Sequence, residues 1–277
     1  MEYPDNMNEF KIHQLWIWLS VLVSVLVIGA SGAGIFVKGV YSQETASYAA
    51  QGIGQDIVNI VIAVPTLLTS AYFLRKRSVR ALLIWLGALV YIVYSYVMYA
   101  FSVHFGFLFP VYIAVLSLSF YTLFGSLFSL KLPDLAASFV SNAKAKAVSV
   151  FLMIFGLAFF ALWSSDIFRS LLSDTVPQSV IDTGLPVNLV HVLDLGFILP
   201  GMVITSIMLW KKRPAGYLFA IPFLVFAAIM GMAIISMLVV MSRRGVPGSL
   251  PFGVILASMV AASVLLAGLF LKDIKRP

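Results

Sequence analysis

Leu189-Val-His-Val-Leu-Asp-Leu-Gly-Phe-Ile-Leu-Pro200 decides how this chain is read. An imidazole, His191, and a carboxylate, Asp194, stand at positions i and i+3 of an apolar run that continues to Trp210. A helix brings positions i and i+3 onto one face. About 20 apolar residues suffice to cross the hydrocarbon core of a bilayer. The stretch therefore reads as a membrane-spanning helix with two ionisable groups inside it. A carboxylate at the centre of such a helix costs roughly 3 kcal/mol to insert, so it needs a partner or a task. A counterpart lies in the first half of the chain, in Asp56-Ile-Val-Asn59. Setting His191 over Asp56 places Asp194 on Asn59 and Pro200 on Pro65.

The rest of the chain agrees with a membrane setting. Of 277 residues, 61% are hydrophobic and only 10% are charged, with a mean hydropathy of +1.04. Soluble domains carry about 25% charged residues. Eight apolar segments follow one another: Leu15–Val37, Ile57–Leu74, Ala81–Phe101, Phe107–Leu130, Ala147–Trp163, Leu189–Trp210, Tyr217–Met241 and Phe252–Leu271. Their apolar residues run on without alternation, which selects helices over a barrel, the only two structures that span a bilayer. The expectation is an all-α integral membrane protein, with 1–277 a single transmembrane bundle of eight helices. The acidic start, Met-Glu-Tyr-Pro-Asp, lacks the basic region of a cleaved signal peptide, so the first segment is expected to be retained. There is no cysteine, which removes disulfides and thiolate chemistry.

The net charge of +7 is a topology signal. Lys11, the cluster Arg75 to Arg80, Lys131, Lys144, Lys146, Lys211 to Arg213 and Lys272 to Arg276 all fall on one side. Only Lys38, Arg169, Arg243 and Arg244 fall on the other. The positive-inside rule makes the first side cytoplasmic, with both termini there and a plasma-membrane location. No nucleic-acid partner is expected. The longer connections, 39–55 and 170–188, read as loops on the other side, rich in Ser, Thr, Gly and Pro. One precedes each polar-headed segment. The plan of segments one to four thus recurs in five to eight, giving candidate parallel half-repeats 14–130 and 147–271 related by an axis along the membrane normal. Pro65 and Pro200 follow the second polar position at the same spacing, where a kink is expected to free backbone carbonyls.

The candidate binding residues are Asp56, Asn59, Tyr91, Tyr94, His191 and Asp194. His191 is the nearest partner for Asp194, as a proton-coupling or acid–base couple or as two ligands of one metal. The alternative for both is a structural hydrogen bond between helices. Asp56, at the head of its segment, has the competing role of a solvated N-cap. If the axis holds, Asp56, Asn59, His191 and Asp194 meet in the outer leaflet. Segment three carries Tyr91, Tyr94, Tyr96 and Tyr99 in close succession, more than an interfacial belt needs. Tyr91 and Tyr94 are expected to line the polar site, and Tyr99 and His104 to sit at the interface. Tyr112 and Tyr121 are weaker candidates.

Several chemistries drop out. The Gly-x-Gly before Asp56 lacks the strand and lysine of a phosphate loop. No G-x-S-x-G elbow occurs, no lysine lies inside segment seven, and the motifs of intramembrane aspartyl proteases are absent. A metal on Asp56, His191 and Asp194 has suitable ligand types, but spacing supports only two of the three.

Gly54-Gln-Asp56, the Pro65 span ending Arg75-Lys-Arg-Ser78, Tyr91-Ile-Val-Tyr94-Ser-Tyr96, Phe107-Leu-Phe109, Trp163-Ser-Ser-Asp166 and Asn188-Leu-Val-His191-Val-Leu-Asp194 resemble a family of prokaryotic multi-pass membrane proteins without an assigned function. That resemblance covers most of the chain and implies a membrane bundle, with no catalytic roles to transfer. Three functions are open at this point. The first is a small-solute or ion transporter, proton-linked through Asp194 and His191, with Asp56 and Asn59 on the solute. The second is an intramembrane enzyme acting on a lipid-like substrate, with or without a metal. The third is a ligand-sensing or scaffold protein whose polar groups only clamp helices.

Overall fold

The computed structural model describes residues 12–130, 139, 142–247 and 250–274. It is an all-α membrane architecture with eight helices long and apolar enough to cross a bilayer. They are α1 (Gln14–Phe36), α2 (Ala46–Leu74), α3 (Val79–Ser102), α4 (Phe109–Phe128), α5 (Asn142–Leu172), α6 (Leu189–Trp210), α7 (Pro214–Arg243) and α8 (Leu250–Lys272). A short helix, Gln178–Thr183, lies in the α5–α6 connection. Lys11, Lys131, Lys275 and Arg276, counted above as topology signals, lie outside the described residues.

Local signals explain the helix starts. Thr45, Ser78 and Asn188 cap α2, α3 and α6 by accepting a backbone N–H from the first turn. Prolines 110 and 214 occupy the first turns of α4 and α7, where a missing N–H does no harm. Two boundaries differ from expectation. Residues 46–55 are helix, so α2 begins at Ala46, well ahead of Ile57. Small residues and glycines there read as loop, but they let the chain wind closely against its neighbours. At Gly54 a Cβ would stand 2.4 Å from the Met237 Cα of α7. Likewise α5 runs past Trp163 to Leu172.

Pro65 and Pro200 are accommodated by a change of helical winding. Each follows one π-helical turn, Asn59–Ala63 in α2 and Asp194–Ile198 in α6. The Val64 N–H reaches the Asn59 carbonyl, and the Leu199 N–H reaches that of Asp194. A turn widened by one residue makes room for a ring that would otherwise strike the carbonyl four residues back. Both turns begin at the second polar residue of the pair, so the register that sets His191 over Asp56 also superposes the two turns. Two further features keep that register. Arg77 and Lys212 adopt positive φ (57° and 56°) in the basic turns, and Gly39 and Asp174 do so (104° and 49°) beyond α1 and α5.

Helix α3 is the most enclosed, with Trp85, Tyr91 and Tyr96 fully buried. It packs on α2, α4 and α7. Helix α2 lies along α7 as well. Helix α6 packs on α5 and α7 but meets α3 chiefly through Leu189–Leu193. The space this leaves between α3 and α6 becomes a cavity.

Candidate functional site

The polar residues fall into two clusters on different sides of α3. The first joins α1, α2 and α3. Asp56 is 2% exposed, and each carboxylate oxygen has a donor: the Tyr41 hydroxyl at 2.6 Å on Oδ2 and the Tyr99 hydroxyl at 2.8 Å on Oδ1. Tyr41 comes from the α1–α2 connection. Burial first, and the Asp56 charge second, push its phenol well above the usual range, so it remains a donor. Gly34 of α1 makes room for this carboxylate, since a Cβ there would stand 2.0 Å from Asp56 Oδ2. One turn further in, the Asn59 amide donates to Ser31 Oγ (3.1 Å) and accepts from the Tyr91 hydroxyl (3.0 Å).

The second cluster joins α3, α5 and α6. Asp194 Oδ1 accepts from the Tyr94 hydroxyl at 3.0 Å, and Oδ2 accepts from the Trp163 indole N–H at 2.9 Å. His191 is buried against the Trp163 ring (centroids 5.1 Å apart). Its Nε2 lies 3.7 Å from Asp166 Oδ2 and makes no hydrogen bond. Asp166 also accepts from Ser179 Oγ at 3.2 Å.

These contacts correct several expectations. The hydrogen bonds of Asp194 go to Tyr94 and Trp163, which reach it from α3 and α5, rather than to His191. Asp56 is no solvated cap. Thr45 fills that role at the true start of α2, and Asp56 lies further along the helix, deep among tyrosines. Tyr99 is buried on Asp56 instead of lying at the interface, whereas His104 is exposed and held by Glu44 through its backbone N–H (2.8 Å) and Nδ1 (3.0 Å). Tyr91, expected to line one polar site with Tyr94, gives its hydroxyl to the Asn59 amide in the other cluster. Tyr112 stacks on Tyr99 (5.1 Å), and Tyr121 is exposed on α4. Asp56, Asn59, His191 and Asp194 share no hydrogen bond. Among the described residues no three His, Cys, Asp or Glu side chains gather as a metal site.

What separates the clusters functionally is space. A cavity of about 270 Å³ opens beside Asp194 at the end of the bundle away from the basic turns. Asp194, Tyr94 and Trp163 line it, as do Phe155, Phe159 and Phe226, four methionines (Met98, Met230, Met237 and Met259), and Gln51 and Gln55 of α2. Most of its wall is apolar, and among the described residues Asp194 is the only charged one lining it. The amide nitrogen of Gln55, one of the lining residues, is buried without a hydrogen-bond partner. Tyr41 and Tyr99 form part of the wall, so Asp56 stands directly behind it, while Asn59, Tyr91 and His191 do not line it.

Sequence reasoning misses Tyr41, Trp163 as a donor, Phe226 and Gln55. Nothing in the periodicity of α7 distinguishes Phe226 from lipid-facing phenylalanines. Trp163 does carry a signal, an indole beside Asp166 in an otherwise apolar helix, because a buried indole N–H seeks an acceptor. No family model, curated protein or solved structure matches the chain, so the functional reading rests on this geometry.

Proposed function

We propose that the chain is a carrier for a small solute, resident in the plasma membrane, with the basic turns and both termini on the cytoplasmic side. The observation that carries this reading is the cavity itself, with one carboxylate, Asp194, set in a mostly apolar wall. Clamping helices together needs no such space, which favours a ligand over a purely scaffolding role. The surroundings favour transport. Solute sites in carriers form where helices depart from regular winding, at the junction of repeated halves. Here both π turns begin at the polar positions, and they share one register with the paired positive-φ residues Gly39 and Asp174, Arg77 and Lys212. On this reading 14–130 and 147–271 are half-repeats within a single bundle.

Asp194 and Tyr94 contact the solute. Asp56, Asn59 and Tyr91 tie α1, α2 and α3 into the fixed unit against which α6 moves. A carboxylate that holds a solute in one step can hold a proton in the next, so Asp194 is the coupling group, and His191 with Asp166 lies between it and the loop end. A second reading, an enzyme or receptor for a lipid-like ligand, draws support from the apolar walls.

The absence of cysteine provides a direct test. Met230→Cys puts a single thiol in the cavity wall. A carrier exposes it to a membrane-impermeant maleimide from the outer face in spheroplasts and from the cytoplasmic face in inverted vesicles. Labelling from one face only, under every condition, removes the carrier and leaves the lipid-ligand reading.

A further inference from the structure

We infer that the Asp194 cavity takes an organic cation, an alkylated or quaternary ammonium of modest size, seated against the Trp163 and Tyr94 rings. This deepens the carrier reading and rests on it for the location of the site.

The first argument is charge. Asp194 is the only ionisable acid or base in the described lining apart from tyrosine phenols, and no lysine, arginine or histidine there faces the space. Its two hydrogen bonds come from a phenol and an indole, which are neutral donors. They satisfy its lone pairs and leave its charge unbalanced in a wall of phenylalanine and methionine. The one nearby imidazole, His191, is directed at Asp166 and lies outside the cavity. A buried charge without a partner is costly, and a cationic ligand supplies the partner.

The second argument is shape and surface. Trp163 and Tyr94 meet the carboxylate through donors on their ring edges, their rings line the cavity beside it, and Phe226 packs in a T shape on Tyr94 at 5.4 Å between centroids. Aromatic faces beside a carboxylate form the cage that attracts alkylammonium groups, whose charge is spread over methyl or methylene surface. The methionines suit the same ligand, since thioether chains adapt to irregular apolar bodies. An anion finds no cationic side chain in the described lining, and a strongly hydrated metal ion finds one carboxylate where it needs several.

The third argument is the Gln55 amide. Gln55 lines the cavity, and its Nε2 is buried with no protein acceptor, although buried donors are as a rule paired. Turned about its last side-chain bond, the amide would present this donor to the cavity, where a ligand oxygen or a water carried with the ligand would accept from it. A cation bearing a hydroxyl or carbonyl away from its charged centre therefore fits both polar points.

The test uses the full chain in lipid nanodiscs and three probes of similar size: benzyltrimethylammonium, benzyl alcohol and phenylmethanesulfonate. Calorimetric titration is expected to give a Kd for the cation about tenfold or more below that of the alcohol, with no binding of the sulfonate. Asp194→Glu is expected to keep cation binding within about fivefold, and Asp194→Asn to weaken it by about tenfold or more. Because the probe series is read on the unaltered protein, the answer survives a variant that fails to fold. Equal binding of cation and alcohol, a preference for the sulfonate, or binding of none of the three overturns the inference. So does cation binding unchanged in a folded Asp194→Asn. Thiol labelling at residue 230 needs no ligand, so two-sided access with no cation binding discards the ligand class and keeps the carrier.

Discussion

Asn59 and Asp194 occupy matching places and do different work. Each opens a π turn ahead of a proline, and each accepts a hydroxyl from α3, Tyr91 in one case and Tyr94 in the other. The remaining contacts diverge. Asn59 is closed in by Ser31, and Asp56 above it by Tyr41 and Tyr99, while Gly34 allows α1 to lie against the carboxylate. At Asp194 the second partner is the edge of an indole, and beyond it lies open space. The lesson is that neighbours decide whether a polar turn becomes a joint or a pocket. A joint is filled on every side, and a pocket lacks one wall.

That contrast can be broken at its stronger end first. Asp56→Leu is expected to be the most damaging single change, because the Tyr41 and Tyr99 hydroxyls lose a buried acceptor at about 1–3 kcal/mol each. The thermal midpoint of purified protein should fall steeply, or folded protein should not be recovered. Stability within about 1 kcal/mol of wild type would show that Asp56 is not a joint. Gly34→Ala should cost about 1–3 kcal/mol, as overpacking does, since the new methyl meets the carboxylate. Asp194→Asn should cost less, about 1 kcal/mol, because one oxygen still accepts and only one donor is left facing an amide. Its effect belongs to function instead: uptake by reconstituted protein should drop by at least about tenfold at unchanged expression. An uptake loss from Asn59→Asp exceeding that from Asp194→Asn would reverse the assignment of joint and pocket. The smallest effects are expected at the prolines. Pro65→Ala and Pro200→Ala should each change stability by no more than about 1 kcal/mol, since the widened turn has already absorbed the missing N–H. Hydrogen exchange at residues 194–199 would register any tightening to a regular helix.

Much of this architecture is legible in composition and spacing. Eight apolar runs mark the spans, because a bilayer permits few alternatives. The pattern Asp56, Asn59, Pro65 against His191, Asp194, Pro200 points to both irregular turns, although it does not say that each takes the form of a π turn. What stays hidden depends on which helix neighbours which. The tyrosine spacing separates Tyr91 and Tyr94 from the interface, but nothing local says that Tyr91 meets Asn59 and Tyr94 meets Asp194. Tyr99 lies near the end of its span and reads as interfacial. It is buried between Tyr96, Tyr112 and the Asp56 carboxylate, which α2, starting at Ala46, brings up beside it. His191 and Asp194 share a helical face in sequence, yet they do not pair: Asp194 accepts from the Trp163 indole N–H while His191 packs on the same ring system.

The unequal lengths of paired helices have a consequence for where the protein meets its surroundings. From their shared short turns, α2 runs 29 residues against 24 for α3, and α7 runs 30 against 22 for α6. At about 1.5 Å per residue, α2 and α7 reach roughly 44 Å, well beyond a hydrocarbon core of about 30 Å. Their surplus lies at the far end from those turns, where they pack on each other beside Gln55 and Met237. Standing upright, the two rods would rise past the outer ends of α3 and α6, as would α5 with its 29 residues, so that three helix ends, not loops, would rim the cavity mouth.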